Sequence, residues 1–369
     1  MQYNVKKWGI LPDGTMCHII QLSYNGISLY VSDYGATFQS MFVTDSSGTQ
    51  HDIILGYDTP EEYYYDQQNF GGTMGRFANR IAGACITLNG KDWHLPANEG
   101  NNTLHSGHGF NKCMWQYDVN PEALILTLNS PHLENGFPGN LKVTQTITIT
   151  DRNSILVHYD AVSDMDTVCS FTNHSYFNFS GVKNVCNYIV SIGADCYTPV
   201  DSSNIPTGDI LPVEGTMYDF RNPRRVGTDY IDINYVLSDA YEYAAKVTDP
   251  EAGISMSVKT SFPGLQLYNG NYIGNCTGKY NMPYNDQHGI CFEPQFFPDS
   301  MHHNNFPSPV LKAGEHLDRY IEYIFQTETA LPKYTTQKRT APEIRTVLFN
   351  LKAYLTFNTT KCNTSYNEL

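Results

Sequence analysis

The sequence predicts an all-β protein folded as one large sandwich of many short strands. Apolar residues alternate with polar ones over short stretches, and turn residues separate these stretches. Aromatic residues make up 13% of the 369 positions and charged residues only 16%, which suits sheets around a polar, aromatic-lined cleft. No repeat, linker or shift in composition divides the chain before about residue 326. We therefore predict a sandwich domain over 1–325 and a C-terminal extension over 326–369, because all-β chains often run long as single domains.

The first elements along the chain are short strands and turns. Alternation over 26–43 places Ile27, Leu29 and Val31 on one face of a strand meander. Residues 60–63 can form one helical turn. Further strands are predicted over 124–128, 141–150, 154–161, 189–192, 229–237, 252–260, 265–269, 289–295 and 319–325.

A glycine-rich stretch over 71–80 resembles a phosphate-binding loop only superficially. Such a loop needs a helix after it, whereas 81–88 is predicted to be a strand. We therefore expect the glycines to let backbones approach closely, with Asn79 and Arg80 displayed beside them. Asn89 and Gly90 then form a two-residue hairpin turn.

The stretch 172–179 is the feature around which the site is predicted. Its aromatic residues recur at alternate positions, which predicts a strand, and Tyr176 is out of phase with Phe177 and Phe179. His174 lies in this stretch, and Glu293 lies in a second apolar stretch over 289–295. A buried imidazole or carboxylate needs a hydrogen-bonding or charged partner, or a functional role that explains its burial. On the residues alone, a satisfied core histidine and a structural ion pair remain alternatives to catalysis.

Charge and cysteine content exclude several classes of protein. A formal charge of −14 argues against a nucleic-acid partner, because phosphate contacts need Lys and Arg, and it disfavours anionic membranes and highly phosphorylated substrates. No signal peptide or run of about 18 apolar residues is present, so we expect a cytoplasmic protein without a membrane partner. The nine cysteines form no C-x-x-C pair, which favours reduced structural thiols.

The C-terminal extension has a different pattern. Residues 340–343 look like a capping box with an early proline, and apolar residues at helical spacing predict an amphipathic helix over about 341–355. This helix would dock on the acidic sandwich or, alternatively, bind a partner or a second copy. Both a monomer and a homodimer remain open.

Two other types of site find little support. His105 and His108 share a polar loop, but no third ligand is near in sequence, so a metal site is not favoured. The Gly-x-Ser-x-Gly elbow of many serine hydrolases does not occur.

An ordered set of motifs resembles the aldose 1-epimerase (galactose mutarotase) family over about residues 8–325. The motifs are LPDG (11–14), DYGAT (33–37), LGYD (55–58), GRFANRI (75–81), NTLH (102–105), TNHSYFN (172–178), IPTG (205–208), DINYVL (232–237) and EPQFFPD (293–299). The resemblance implies a large antiparallel β-sandwich that interconverts the α and β anomers of free aldoses such as galactose and glucose. It implies no metal or organic cofactor.

The resemblance also assigns roles to individual positions. His174 matches the catalytic acid and Glu293 the catalytic base. The positions that match sugar-binding residues are Asn79, Arg80, His105, Asp232 and Gln266. Two positions depart from the family pattern: Ile233 replaces a histidine, and Pro294 replaces a threonine and removes a backbone donor beside the base.

The hypothesis that follows is acid/base opening of the sugar ring. Glu293 would take the proton of the C1 hydroxyl and His174 would protonate the ring oxygen, so each must reach the hemiacetal. We expect the nearby carboxylate to keep His174 charged near neutral pH. The alternatives are a hexose-6-phosphate 1-epimerase, which would want several basic residues, a glycoside hydrolase that pairs Asp232 with Glu293, and a non-catalytic sugar-binding module.

Overall fold

The computed structural model describes residues 1–181, 183–274 and 276–327, and nearly all of their regular structure is β. The one α-helix of this part is α1 (Pro60–Tyr65), which begins at a capping box formed by Thr59 and Glu62. Short 3₁₀ turns cover Ala82–Ala84, Phe110–Lys112, Glu134–Gly136, Lys279–Asn281 and Ser300–His302. Helix α1 confirms the helical turn predicted at 60–63.

The strands of the described residues are numbered in chain order. They are β1 (Gln2–Ile10), β2 (Met16–Tyr24), β3 (Ile27–Ser32), β4 (Phe38–Thr44), β5 (Gln50–Asp52), β6 (Thr73–Met74), β7 (Arg80–Ile81), β8 (Cys85–Leu88), β9 (Lys91–His94), β10 (Thr103–Leu104), β11 (Gln116–Val119), β12 (Leu124–Ser130), β13 (Leu141–Ile149), β14 (Ser154–Ser163), β15 (Thr167–Val168), β16 (Thr172–Asn173), β17 (Ile189–Ile192), β18 (Cys196–Thr198), β19 (Leu211–Pro212), β20 (Arg224–Arg225), β21 (Asp232–Val236), β22 (Ala245–Asp249), β23 (Ile254–Thr260), β24 (Gly264–Tyr268), β25 (Cys276–Thr277), β26 (Pro283–Tyr284), β27 (Cys291–Gln295), β28 (Val310–Leu311) and β29 (His316–Thr327).

Three antiparallel sheets dominate the architecture. A nine-stranded sheet has the order β11-β12-β13-β14-β29-β23-β22-β17-β20. A five-stranded meander follows the chain from β1 to β5, and a second five-stranded sheet has the order β19-β18-β21-β24-β27. The main hydrophobic core takes side chains from all three sheets. The all-β, antiparallel architecture expected from the sequence is confirmed.

Alternation along the strands builds this core. In β13, Leu141, Val143 and Ile147 are buried while Lys142 is exposed, as the period-two pattern predicts. The Asn89–Gly90 hairpin is also confirmed: both residues adopt positive φ, 54° and 75°, between paired β8 and β9.

The segment 172–179 is not the continuous strand that its aromatic alternation predicts. Only β16 pairs in a ladder, with β6, and Phe177 forms single bridges to Ile54 and Ile290. The alternation instead reflects burial on two sides. Phe177 and Phe179 lie in the main core, while Tyr176 lies in a separate aromatic cluster.

The predicted strand over 81–88 is interrupted as well. Residues Ala82–Ala84 form a 3₁₀ turn between β7 and β8, and Gly83 has a φ of 59° there. At the other end of the domain, β29 continues to Thr327, two residues past the predicted boundary at 325. The predicted helix over 341–355 lies outside the described residues. Within the described part of the chain, no helix has the length and apolar character needed to cross a membrane.

Candidate active site

One wall of the site is the polar face of three adjacent strands, β21, β24 and β27. Their antiparallel register aligns side chains in two rows, because residues opposite each other in a sheet share a face. The rows are Asp232–Tyr268–Cys291 and Asn234–Gln266–Glu293. The intervening side chains, such as Leu267 and Phe292, belong to the main core on the opposite face. Strand alternation therefore separates the polar groups from the core.

The two positions that depart from the family pattern fit this arrangement. Ile233 is buried in the main core, on the face away from the polar rows. Pro294 lies in β27, an edge strand whose partner within the sheet is β24. An edge strand tolerates a residue without an N–H donor, and the pairing continues from Cys291 to Gln295 without a register shift.

The opposite wall comes from the glycine-rich stretch and the segment that follows β16. The backbone N–H of His174 donates to the carbonyl of Gly72 at 2.9 Å, and its carbonyl accepts from the N–H of Gly71 at 2.9 Å. Gly71 has a φ of 63°, and a Cβ atom there would collide with the backbone of Phe38. The glycines thus permit the close backbone approach that the sequence predicts, and this approach positions the imidazole.

His174 and Glu293 meet although they are far apart in sequence. The Nε2 atom of His174 lies 3.7 Å from Oε2 of Glu293, and the residues are 5% and 2% exposed. Among the described residues, no group forms a hydrogen bond with this buried Oε2 atom. The carboxylate oxygen is therefore available to a ligand that enters between the two side chains.

Burial sets the protonation of the pair. Desolvation lowers the pKa of His174 to about 4. It raises the pKa of Glu293 well above its ordinary value, and the nearby charge of Asp232 raises it further, while Arg80 opposes the shift. Desolvation therefore acts against the expectation that the neighbouring carboxylate keeps His174 charged near neutral pH.

His105 stands beside the pair as a neutral imidazole. Its ring lies edge-on to that of His174, with centroids 5.3 Å apart. Desolvation lowers the pKa of His105 well below its usual range, and the charge of Arg80 and the protonated form of His174 both act in the same direction. Its Nδ1 accepts a hydrogen bond from the backbone N–H of Asn79 at 3.1 Å, so the ring carries its proton on Nε2.

Arg80 connects two carboxylates that line the cavity. Its Nε and Nη2 donate to both oxygens of Glu99, at 2.7 and 2.8 Å. Its Nη1 lies 3.6 Å from Oδ2 of Asp232. Asp232 also accepts hydrogen bonds from Nε2 of Gln266 at 2.6 Å and from the hydroxyl of Tyr230 at 3.3 Å. This network fixes the direction of each group, because a two-pronged guanidinium–carboxylate pair is geometrically specific.

These residues enclose a cavity of about 250 Å³. Six of the seven predicted site residues line it: Asn79, Arg80, His105, His174, Asp232 and Glu293. The seventh, Gln266, contacts the site through its hydrogen bond to Asp232. Such a small cavity with converging polar groups suits a small polar ligand.

Several lining residues escaped the sequence analysis. Glu99 lies in a polar loop whose composition gives no sign that one carboxylate would pair with Arg80. The aromatic residues of the cavity, Tyr176, Tyr230, Tyr268 and Tyr272, could not be selected from 27 tyrosines without the fold. His108, predicted in the same loop as His105, is exposed.

A metal site is poorly supported by this donor set. The ligand atoms of His174, Cys291 and Glu293 lie within 4.8 Å of one another, and an imidazole, a thiolate and a carboxylate can bind zinc. Burial, however, raises the pKa of the Cys291 thiol well above its ordinary value. A metal bound here would have to displace this proton.

A larger groove of about 560 Å³ lies elsewhere on the described part of the chain. Tyr241, Phe262 and Arg319 are among the residues that line it, and the groove contains no histidine. It lacks a buried acid/base pair, so the smaller cavity is the stronger candidate for chemistry.

Comparison with known proteins agrees with this geometry. Residues 18–323 match the family described as Aldose 1-epimerase. The chain is 38% identical to the galactose mutarotase of Mus musculus over 322 residues, which cover 84% of this chain and 94% of that protein. It is 34% identical to the aldose 1-epimerase of Escherichia coli strain K12 over 340 residues, which cover 86% and 98%.

Solved structures show the same similarity. An aldose epimerase homologue from C. elegans superposes with a TM-score of 0.81 at 28% identity, covering 84% of this chain and 99% of that chain. A galactose 1-epimerase from Lactobacillus acidophilus NCFM gives 0.79 at 28% identity, covering 89% and 100%.

Proposed function

The chain belongs to the aldose 1-epimerase family and is an isomerase, and from this premise we propose that Glu293 and His174 interconvert the α and β anomers of a free hexose such as galactose or glucose. The observation that carries the proposal is the approach of the His174 and Glu293 side chains to 3.7 Å beside a cavity lined by hydrogen-bonding groups. An acid and a base are the two groups that this reaction needs.

A proton that can move between Glu293 and His174 suits ring opening. Burial favours the neutral form of both groups: it lowers the pKa of His174 to about 4 and raises the pKa of Glu293 well above its ordinary value. A sugar hydroxyl that donates to the unpartnered Oε2 of Glu293 favours the carboxylate, and the proton then resides on His174. Glu293 takes the C1 hydroxyl proton, the bond between C1 and the ring oxygen breaks, and the ring oxygen receives the proton from His174. Rotation about C1–C2 and the reverse steps give the other anomer.

The remaining groups suit sugar hydroxyls. Arg80 and His105 provide donors, Asp232 provides acceptor oxygens, and the side-chain amides of Asn79 and Gln266 can do both. The tyrosines of the cavity offer aromatic surface for the apolar face of the ring.

The charge of the cavity argues against a hexose 6-phosphate as substrate. Among the described residues that line it, Arg80 is the one Lys or Arg side chain, and it is already bound to both oxygens of Glu99. Asp232, Glu99 and Glu293 add acidic groups. A phosphate dianion would meet no free cation there.

The other two alternatives explain less of the site. A glycoside hydrolase would assign Asp232 and Glu293 to the reaction but leave His174 without a role. A non-catalytic sugar-binding module would use the buried carboxyl oxygen of Glu293 for affinity alone, and it would leave the close approach of His174 to that oxygen without a role.

The cellular setting is part of the same proposal. The eight cysteines among the described residues form no disulfide. We propose a cytoplasmic enzyme whose partner is a small free aldose, active as a monomer or a homodimer.

Polarimetry of freshly dissolved α-D-glucose and α-D-galactose tests the proposal. The wild-type protein should accelerate the change in rotation well beyond the unaided rate, and His174→Asn should not. A wild-type protein that leaves the unaided rate unchanged would rule out the assignment. Product release from a nitrophenyl glycoside would favour the hydrolase, and faster mutarotation of glucose 6-phosphate than of glucose would favour the phosphate-specific alternative.

A further inference from the structure

The motif over 293–299 ends in a buried aspartate that the acid/base chemistry does not use. Asp299 is 2% exposed and follows β27, the strand that carries Glu293. Its φ is 56°, a left-handed conformation that aspartate, asparagine and glycine adopt more readily than other residues. A carboxylate buried so deeply needs polar partners, and the backbone of β7 provides one of them.

Asp299 binds β7 through both its backbone and its side chain. Its N–H donates to the carbonyl of Arg80 at 2.8 Å, and its Oδ1 accepts from the N–H of Ala82 at 2.8 Å. Alternate residues of an antiparallel strand direct their hydrogen-bonding groups to the same edge. Within the described residues β7 pairs with a single strand, β10, in a ladder of two residue pairs. Asp299 therefore acts as a second neighbour for a strand that is otherwise weakly held.

Two histidines fix the direction of the carboxylate. Nδ1 of His302 donates to Oδ1 of Asp299 at 2.6 Å, and Nε2 of His303 lies 3.3 Å from Oδ2. The hydrogen bond with Asp299 raises the pKa of His302. Each carboxylate oxygen thus has a defined neighbour, and Oδ1 stays directed at β7.

We propose that Asp299 is a positioning residue for sugar binding, because it fixes the backbone of β7 and thereby the direction of the Arg80 guanidinium. That guanidinium binds both oxygens of Glu99 and lies 3.6 Å from Asp232. A displaced β7 would disturb this network. Asp299 also joins β7 to the chain that leaves β27, so it relates the sugar-binding arginine to the strand of the base. The inference rests on the proposed role of Arg80 in binding the sugar.

Two substitutions separate the carboxylate from the backbone conformation. Asp299→Gly removes the carboxylate, and glycine adopts a positive φ without strain. Asp299→Asn keeps an acceptor oxygen for Ala82 and also tolerates this conformation. Because Arg80 would contact sugar hydroxyls and not the reacting atoms, Asp299→Gly should raise KM for galactose about fivefold, the equivalent of one ordinary hydrogen bond. It should change kcat by less than about twofold, and Asp299→Asn should stay close to wild type.

Ala82→Pro removes the same hydrogen bond from the other side, and it tests the proposal even if Asp299→Gly does not fold. Ala82 opens a 3₁₀ turn, a position where proline is tolerated. The preceding residue, Ile81, is extended with φ −129° and ψ 120°, as a residue before proline prefers. Ala82→Pro should raise KM by about the same factor.

Asp33→Ala is the matched control. Asp33 is 3% exposed and, like Asp299, it accepts from a backbone N–H and pairs with an imidazole, here both of His18 at 2.7 Å. It is not among the residues that line the cavity. Asp33→Ala should lower the stability of the fold and leave KM unchanged.

Two further measurements distinguish positioning from general damage to the fold. In an Arg80→Lys background, Asp299→Gly should raise KM by clearly less than fivefold, because the group that it positions is already altered. Nitrogen NMR of arginine-labelled protein follows the guanidinium directly, with the Arg80 signals assigned by their loss in Arg80→Lys. The Nε–H of Arg80, bonded to Glu99 at 2.7 Å, should exchange slowly with water in the wild type. Asp299→Gly should accelerate this exchange, and Asp299→Asn should restore it.

The inference is overturned by wild-type KM in Asp299→Gly and Ala82→Pro, by an equal rise in Asp33→Ala, or by fully independent effects of Asp299→Gly and Arg80→Lys. Arg80 signals that do not change in Asp299→Gly would overturn it as well. The NMR measurement needs neither sugar nor turnover. Failure of the proposed function, seen as unaided mutarotation rates with the wild type, is therefore distinguishable from failure of the positioning role.

Discussion

The Nε2 atom of His174 lies 3.7 Å from the Oε2 atom of Glu293, slightly beyond hydrogen-bonding distance. Both side chains are buried, and the carboxyl oxygen has no hydrogen-bond partner among the described residues. Leaving a buried polar atom unsatisfied costs stability. A bound substrate would satisfy both side chains, because a hemiacetal supplies a hydroxyl proton and a ring oxygen at neighbouring positions.

Replacing either member of this pair should abolish most of the catalysis. We expect His174→Asn and Glu293→Gln each to lower kcat by about 10² to 10⁴, the usual contribution of a positioned acid or base. Polarimetry with galactose measures the rate, and calorimetric titration of the sugar should show that binding survives in both variants.

Matched controls for these substitutions lie on the surface. His108 and Glu122 are exposed, so His108→Asn and Glu122→Gln change the same chemical groups away from the cavity. Both should retain wild-type rates. An equal loss in the control variants, or full activity in the pair variants, would contradict the acid/base assignment.

The pH profile should reflect the single proton that the pair shares. A second proton enters when the pH falls to the pKa of His174, about 4, and blocks the base. The shared proton leaves when the pH rises through the elevated pKa of Glu293, and the acid is lost. The profile of kcat/KM, which reports the free enzyme, should therefore show a plateau between these limits.

The charge distribution within the pair can be measured separately. Infrared spectra at neutral pH should contain the band of a protonated carboxyl group that disappears in Glu293→Gln, and NMR should show a neutral His174 ring. A carboxylate band together with an imidazolium signal before sugar is added would show that desolvation does not determine the protonation of the pair.

Sequence patterns predicted the fold, and they selected six of the residues that line the candidate cavity, because both inferences depend on local periodicity and on ordered motifs. The resemblance placed His174 and Glu293 in one site, and the register of β24 and β27 explains how Glu293 reaches it. The charge of His174 could not be predicted in the same way. It depends on how much water reaches the pair, which the assembled walls of the cavity determine and no local pattern records.

The pairing of Arg80 with Glu99 was missed for a related reason. Glu99 lies in a loop that forms no long strand or helix, so no periodicity marks the direction of its side chain. The irregular path of 172–179 has another cause. Its aromatic residues are buried alternately in two different cores, and this gives the same alternation in sequence as a paired strand does.

Arg80→Lys should weaken substrate binding more than catalysis. The lysine ammonium cannot reproduce the two parallel hydrogen bonds to Glu99 that aim Nη1 at Asp232. We expect KM for galactose to rise by about tenfold, consistent with the loss of one charge-assisted hydrogen bond, and kcat to change less. Arg221→Lys is the control, because Arg221 makes a similar two-pronged contact with Asp219 outside the cavity. A comparable rise in KM for both variants would show that the effect is not specific to the site.

Glu293→Gln should make the folded protein more stable at neutral pH. The folded-state pKa of Glu293 is raised above the unfolded value of 4.5, so the native state holds a proton that the unfolded state releases. The free energy of unfolding of the wild type therefore falls as the pH rises from 4.5 through the folded pKa. Glutamine avoids this loss, and we expect a gain of about 1 kcal/mol, a common size for stabilising substitutions at functional sites.

Denaturant unfolding at several pH values checks this expectation. The difference between Glu293→Gln and the wild type should be small near pH 4.5, the unfolded-state value, and grow as the pH rises. Glu122→Gln should show no such growth, because Glu122 is exposed in the native state. A stability difference that stays constant with pH would mean that Glu293 is ionised in the native protein. The carboxylate would then exist before the sugar arrives, and substrate hydroxyls would not be needed to move the proton onto His174.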